Sequence, residues 1–157
     1  STLNVKKENV SLHKVLASFT SLLEKEINES ETSIITEISA DAKNLITIRS
    51  YIESILYNLI SNAIKYKSPD RRPLIKIVTR KESESFVISF TDNGIGIDLE
   101  KHKSQLFGLY KRFNYDVEGK GLGLHMTKNL VQALGGEIHV KSILGQGTEF
   151  IVIFKTK

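Results

Sequence analysis

Leu12, Val15, Leu16, Phe19, Leu22, Leu23 and Ile27 recur at helical spacing behind Ser11, a good N-cap residue, and predict a first helix. Two short β-branched runs, 33–38 and 45–48, predict strands. Ser50 then opens a second helix, with Glu53 three places later completing a capping box. That helix turns Ile52, Ile55, Leu56, Leu59, Ile60 and Ala63 toward a core, and Ser68-Pro69-Asp70 ends it. Residues 74–80 and 85–91 read as paired strands around 81–84, with Phe86, Ile88 and Phe90 on one face at period two. A short helix is expected over 98–106. Residues 107–119 have no clean period and are expected to form a mobile lid, about 98–120 in its full extent. Residues 122–134 read as a helix stopped by Gly135-Gly136. Strands 137–142 and 148–154 then join through a turn over Gly145-Gln146-Gly147.

This tally of three main helices and five or six strands, with adjacent hairpins dominant, predicts an antiparallel-rich sheet with helices on one face, an α/β sandwich. At 157 residues the chain suits one domain with a sizeable core. Its 40% hydrophobic and 25% charged content is ordinary for a globular protein. The net charge of +4 is small and dispersed, and does not point to nucleic acid. With no cysteine, disulfides, thiolate chemistry and Cys-based zinc sites are excluded. No apolar run approaches a membrane span, and residues 1–9 are too polar for a signal peptide. A chain starting at Ser1 is expected to be an excised piece of something longer.

Three segments carry candidate chemistry. In Asn58-Leu-Ile-Ser-Asn62-Ala-Ile-Lys65-Tyr66, helical spacing gathers Asn58, Asn62 and Lys65 in a narrow stripe beside the apolar face. Amide oxygens are hard, neutral ligands suited to Mg²⁺, and a lysine can neutralise phosphate. The alternative is an amphipathic helix with a polar flank. Asp92-Asn-Gly94-Ile-Gly96-Ile follows a strand. Its carboxylate can accept a hydrogen bond from an exocyclic amine such as adenine N6, where guanine would present a carbonyl. Gly94 and Gly96 let the backbone approach a base. The alternative is a hairpin turn, weakened by the second glycine and by the helix that follows. Gly119-Lys120-Gly121-Leu122-Gly123-Leu124 precedes an apolar helix, where backbone N–H groups favour phosphate. Its spacing fits neither a Walker A loop nor a Rossmann fingerprint, and protein-kinase motifs are absent.

Taken together and in this order, the segments resemble the ATP-binding catalytic domain of sensor histidine kinases, within the gyrase–Hsp90–kinase–MutL superfamily. Residues 58–66 resemble the N box, 92–97 the G1 box, 107–113 the F box and 119–124 the G2 box, and Thr148-Glu-Phe150 is similar to the closing hairpin. The resemblance covers 10–154. It implies a single α+β domain over 1–157 of the two-layer, Bergerat-type ATP-binding fold. Its sheet would be mixed and mostly antiparallel, of about five strands, covered on one face by three helices.

The resemblance further implies that Asn62 is the main Mg²⁺ ligand with Asn58 assisting, and that Lys65 and Tyr66 contact phosphates. Asp92 would bind the adenine amine, with Gly94 and Gly96 at the base and Leu122, Leu124 and Thr148 among the nucleotide contacts. Gly121 and Gly123 would shape the phosphate loop, and Arg112 or Lys120 would reach the γ-phosphate. ATP and Mg²⁺ are the implied cofactors. The implied partners are the dimerisation and histidine phosphotransfer domain of a parent kinase, absent from this chain, and a response regulator. Nucleic acid and direct membrane contact are not implied. The implied location is cytoplasmic, under a parent that could be membrane-anchored.

The four histidines, His13, His102, His125 and His139, lack the acidic neighbour and proline-containing turn of a phosphoacceptor and read as structural or surface residues. A catalytic fragment with little or no autokinase activity is therefore expected, and a monomer, since dimerisation belongs to the missing hairpin. The competing readings are an ATPase or serine kinase of the same superfamily, and a degenerate interaction domain. Superfamily ATPases place a glutamate one turn before the magnesium-binding asparagine, where this chain has Asn58.

Overall fold

A computed structural model of the chain describes residues 6–102, 106–107 and 122–156. Strand β1 (Glu8–Ser11) leads into α1 (Leu12–Leu22), whose Ser11 cap accepts a hydrogen bond from Lys14 N at 3.3 Å. Leu12, Val15, Leu16 and Phe19 face the core as their spacing predicts. The helix stops one turn short of expectation. Ser18 Oγ and Thr20 Oγ1 donate to the Val15 and Leu16 carbonyls, contacts that bend helices. Leu23 leaves helical geometry at φ −99°, ψ 17°, which buries its side chain, and a separate α2 (Glu24–Ser30) follows.

Strand β2 (Ser33–Ile38), a 3₁₀ turn at Ala40–Ala42 and β3 (Asn44–Thr47) come next. β1 pairs antiparallel with β3, a ladder that the polar sequence of β1 did not announce. Helix α3 (Arg49–Lys65) begins directly off this ladder, with Ile48 at the cap and no side-chain cap bond. Ser50 already lies in the first turn, so the expected capping box does not form. The carbonyl of Ile48 takes the amides of Tyr51 and Ile52 instead.

Because α3 lies between them in sequence, β2 and β4 (Leu74–Glu82) can pair parallel, as such pairs need a long crossover. β4 and β5 (Ser85–Asp92) form a tight hairpin with Ser83 at φ 55°. After a short α4 (Leu99–His102), α5 (Leu122–Ala133) ends with Gly136 N bonded to Val131 O and Gly135 N to Gln132 O, the paired bonds of a Schellman stop. β6 (Glu137–Ile143) and β7 (Gly147–Lys155) close the chain as an antiparallel hairpin. The resulting mixed five-stranded sheet runs β2-β4-β5-β7-β6, and only β2–β4 is parallel.

Ile75 and Ile77 of β4, Phe86, Ile88 and Phe90 of β5, and Phe150, Val152 and Phe154 of β7 share the face covered by α1, α3 and α5. Against them α3 buries Ile52, Ile55, Leu56, Leu59, Ile60, Ala63 and Ile64. These layers form the expected two-layer sandwich. Among the described residues, no helix is long and apolar enough to cross a membrane, and no buried side-chain polar atom lacks a partner. The C-terminal end of β5, the N-terminal end of β7 and the last turn of α3 fall at the same end of the sandwich, which is where the chemistry collects.

Candidate nucleotide-binding site

Asp92 is the last residue of β5, the strand between β4 and β7. Its register opposite Thr148 puts its carboxylate on the helix-covered side of the sheet, at the floor of a cleft of about 240 Å³. Oδ1 accepts a hydrogen bond from Gly94 N at 2.8 Å, and the Thr148 backbone N–H also donates to the carboxylate. Those two donors favour the ionised form, yet burial outweighs them and holds the Asp92 pKa above the usual carboxylate value. An ionised Asp92 is therefore a strong acceptor short of water, and an N–H donor entering the cleft would relieve it.

The loop after Asp92 wraps the cleft. Gly96 has φ 74°, and a Cβ there would collide with the Ile143 carbonyl. Gly94 packs against the backbone of Tyr66, which likewise excludes a Cβ. Ile95 N donates to Tyr66 O at 3.0 Å, tying the loop to the C-terminus of α3. On its other side, Gly145 N donates to Ile95 O at 2.7 Å and Ile97 N donates to Ser142 Oγ at 2.8 Å, tying it to the β6–β7 hairpin. Ser142 Oγ lies 2.7 Å from Gly147 O and 2.8 Å from Thr148 Oγ1.

The apolar residues lining the cleft are Ile95, Ile97, Leu124, Leu144 and Phe150. Phe107 stacks edge-on against Phe150 at 6.5 Å, and its carbonyl lies 3.0 Å from His125 Nδ1, so this first residue of the F-box-like segment packs on the body. Polar side chains also line the cleft: Asn62 from α3 and Tyr66 at its C-cap, Thr148 from β7, and Asp98, Lys101 and His102 around α4. Among the described residues, no three His, Cys, Asp or Glu side chains cluster as a metal cage. The neutral amide oxygen in the lining is instead that of Asn62, which suits a Mg²⁺ ion held largely by water and phosphate oxygens.

The structure thus brings Asn62, Tyr66, Asp92, Gly96, Leu124 and Thr148 to one cleft. Asn58 lies one turn before Asn62 on α3, half-buried and off the cleft lining, and Lys65 is exposed at the helix end. Gly94 is buried behind the loop. Leu122 and Gly123 form the first backbone turn of α5. Arg112, Lys120, Gly121 and most of the expected lid lie outside the described residues. Sequence reasoning missed Leu144, Lys101 and Ser142. Their roles depend on how the β6–β7 hairpin and α4 meet the loop, which no local spacing encodes.

Residues 47–157 match the family described as "Histidine kinase-, DNA gyrase B-, and HSP90-like ATPase". Two curated relatives are the sensor protein RprX of Bacteroides fragilis, 37% identical over 105 residues, and the sensor histidine kinase WalK of Bacillus subtilis, 40% identical over 100 residues. The matches cover 65% and 62% of this chain and 20% and 16% of those proteins, so the chain corresponds to a small part of their length. Among solved structures, the catalytic domain of histidine kinase ThkA superposes with a TM-score of 0.81 at 21% identity, covering 96% of each chain. Full-length ShkA in complex with AMPPNP superposes with a TM-score of 0.82 at 22% identity, covering 98% of this chain and 32% of that one. These likenesses establish the same fold.

Proposed function

Since the chain belongs to the histidine kinase-, DNA gyrase B- and HSP90-like ATPase family, we propose that it binds Mg-ATP and serves as the catalytic part of a sensor histidine kinase. One observation carries this reading: a desolvated carboxylate, Asp92, shares a cleft with Asn62 of the α3 amide stripe. Asp92 accepts the adenine N6 amine, while Ile95, Ile97, Leu124 and Phe150 supply apolar surface for the ring. Thr148 and the backbone of Gly96 border the base. Asn62, with Asn58 one turn before it, offers amide oxygens to Mg²⁺, and Tyr66 and Lys65 contact the phosphates. Gly121 and Gly123 shape the phosphate loop, and Arg112 or Lys120 reaches the γ-phosphate. The metal, when bound, neutralises charge on the transferring phosphoryl group.

The chain's own residues orient the nucleotide and hold charge; the acceptor is a histidine on the dimerisation domain of the parent protein, and a response regulator takes the group next. Catalysis then rests on positioning more than on a nucleophile in this chain. The relatives' description as sensor proteins and kinases supports the reading, as does the AMPPNP complex of ShkA. We assign the domain to the cytoplasm on the same grounds. The residue one turn before Asn62 is an amide and not a glutamate, which favours phosphoryl transfer over the hydrolysis of other superfamily members.

Titration calorimetry with ATP and Mg²⁺ tests the proposal. Asp92→Ala should weaken binding by about 1.5–3 kcal/mol, the worth of a hydrogen bond to a charged group. Unchanged affinity in that variant would refute the assignment of Asp92.

A further inference from the structure

Building on the nucleotide pocket proposed above, we infer that Arg71 is a positioning residue of that pocket, clamping the base-recognition loop to the β6–β7 hairpin. Arg71 lies in the 66–73 link between α3 and β4, and does not line the cleft. A turn closed by Asp70 N donating to Ser68 Oγ at 3.1 Å leads into it. Its Nε donates to Asn93 O at 2.6 Å, and its Nη2 donates to Gly94 O at 2.8 Å and to Gly145 O at 2.7 Å. One planar guanidinium therefore holds two consecutive carbonyls of the loop and one carbonyl of the hairpin turn.

The consequence runs through backbone geometry. Fixing the Asn93 and Gly94 carbonyls fixes the two peptide planes that follow those residues. The N–H groups of the same planes are those of Gly94, which donates to Asp92 Oδ1, and Ile95, which donates to Tyr66 O. Arg71 thus sets the group that orients the Asp92 carboxylate. Its third bond holds the turn that carries Leu144, a 63%-exposed apolar side chain at the cleft. The neighbouring Arg72 pairs instead with Glu31 at 3.1 Å in an exposed bridge and serves as the control.

Calorimetric titration with Mg-ADP of the wild type, Arg71→Ala, Arg71→Lys and Arg72→Ala, with amide hydrogen exchange on each free protein, tests this. Arg71→Ala should lose about tenfold or more in affinity, as expected for charge-assisted bonds. Arg71→Lys should lose nearly as much, because an ammonium lacks the fork that spans adjacent carbonyls. Arg72→Ala should bind as the wild type. Added methylguanidinium should restore affinity to Arg71→Ala. Exchange should accelerate at the Ile95 and Gly145 amides while those of Val87, Ile88 and Phe90 stay protected.

Wild-type affinity in Arg71→Ala or Arg71→Lys would overturn the inference. Should Arg71→Ala unfold, exposing the β5 amides, the decision passes to Arg71→Lys, which keeps the charge and most of the length. Absence of nucleotide binding by the wild type would sink the pocket reading instead. Exchange at Ile95 and Gly145 would then decide the clamp: acceleration in Arg71→Ala supports it and no change overturns it.

Discussion

Burial and hydrogen bonding compete at Asp92, and burial wins. A carboxyl whose folded pKa is raised contributes stability that is present at low pH and lost as the pH rises through the folded pKa. At neutral pH the ionised side chain therefore works against the empty fold. The difference in unfolding free energy between wild type and Asp92→Asn should move in favour of the wild type as the pH falls through that raised pKa, read by denaturant titration at several pH values. A pH-independent difference would mean the carboxyl is not desolvated. Nucleotide binding has the linked sign. An amine donor favours the ionised form, so Mg-ATP affinity should fall over the same pH window in the wild type and stay flatter in Asp92→Asn. Ser142→Ala removes the acceptor for Ile97 N, and should lower stability by about 1–3 kcal/mol with faster exchange at that amide. The contrast between these two residues explains what the sequence discloses. Asp92 stands at a strand end before two glycines, a local pattern with a local cause. Ser142 and Arg71 act on partners 45 and 22 or more residues away, so their importance exists only once the hairpin lies against the loop.

Elements with strong periodicity were legible because one apolar face decides them. α3 shows its stripe in sequence, and Ile55 at its centre is fully buried. Ile55→Ala should destabilise the fold by about 2–5 kcal/mol in chemical denaturation, the range for emptying a core site. A loss below about 1 kcal/mol would mean the core closes over the gap. The boundaries were less legible. The break at Leu23 falls inside an unbroken apolar pattern and arises where Ser18 and Thr20 bond back to carbonyls and Leu23 turns inward. β1 carries Glu8, Asn9 and Ser11 around one apolar residue, so its pairing with β3 is a tertiary event. The capping box at Ser50 and Glu53 met the spacing rule, yet the helix leaves the β1–β3 ladder with its cap two residues earlier, at Ile48. In the sheet, the parallel partnership of β2 with β4 follows from the helix between them, whereas the hairpins were readable from their strand patterns and the short turns joining them.

At the scale of the molecule, the sandwich sets strand ends, a helix C-terminus and a helix N-terminus around one cleft, and the proposed chemistry divides between this chain and a parent's dimerisation domain. Incubation with γ-labelled ATP should leave the isolated chain without stable label, since its histidines lie in α1, α4, α5 and β6 of the ATP-binding fold itself. Rapid stable labelling would place an acceptor within this chain and contradict that division of labour. The most direct measurement is a crystal structure with AMPPNP and Mg²⁺ bound. The account predicts the Asp92 carboxylate within hydrogen-bonding distance of adenine N6, with Asn62 at the metal beside the phosphates of the same nucleotide. A nucleotide seated away from this cleft, or one touching Asp92 or Asn62 but not both, would contradict it.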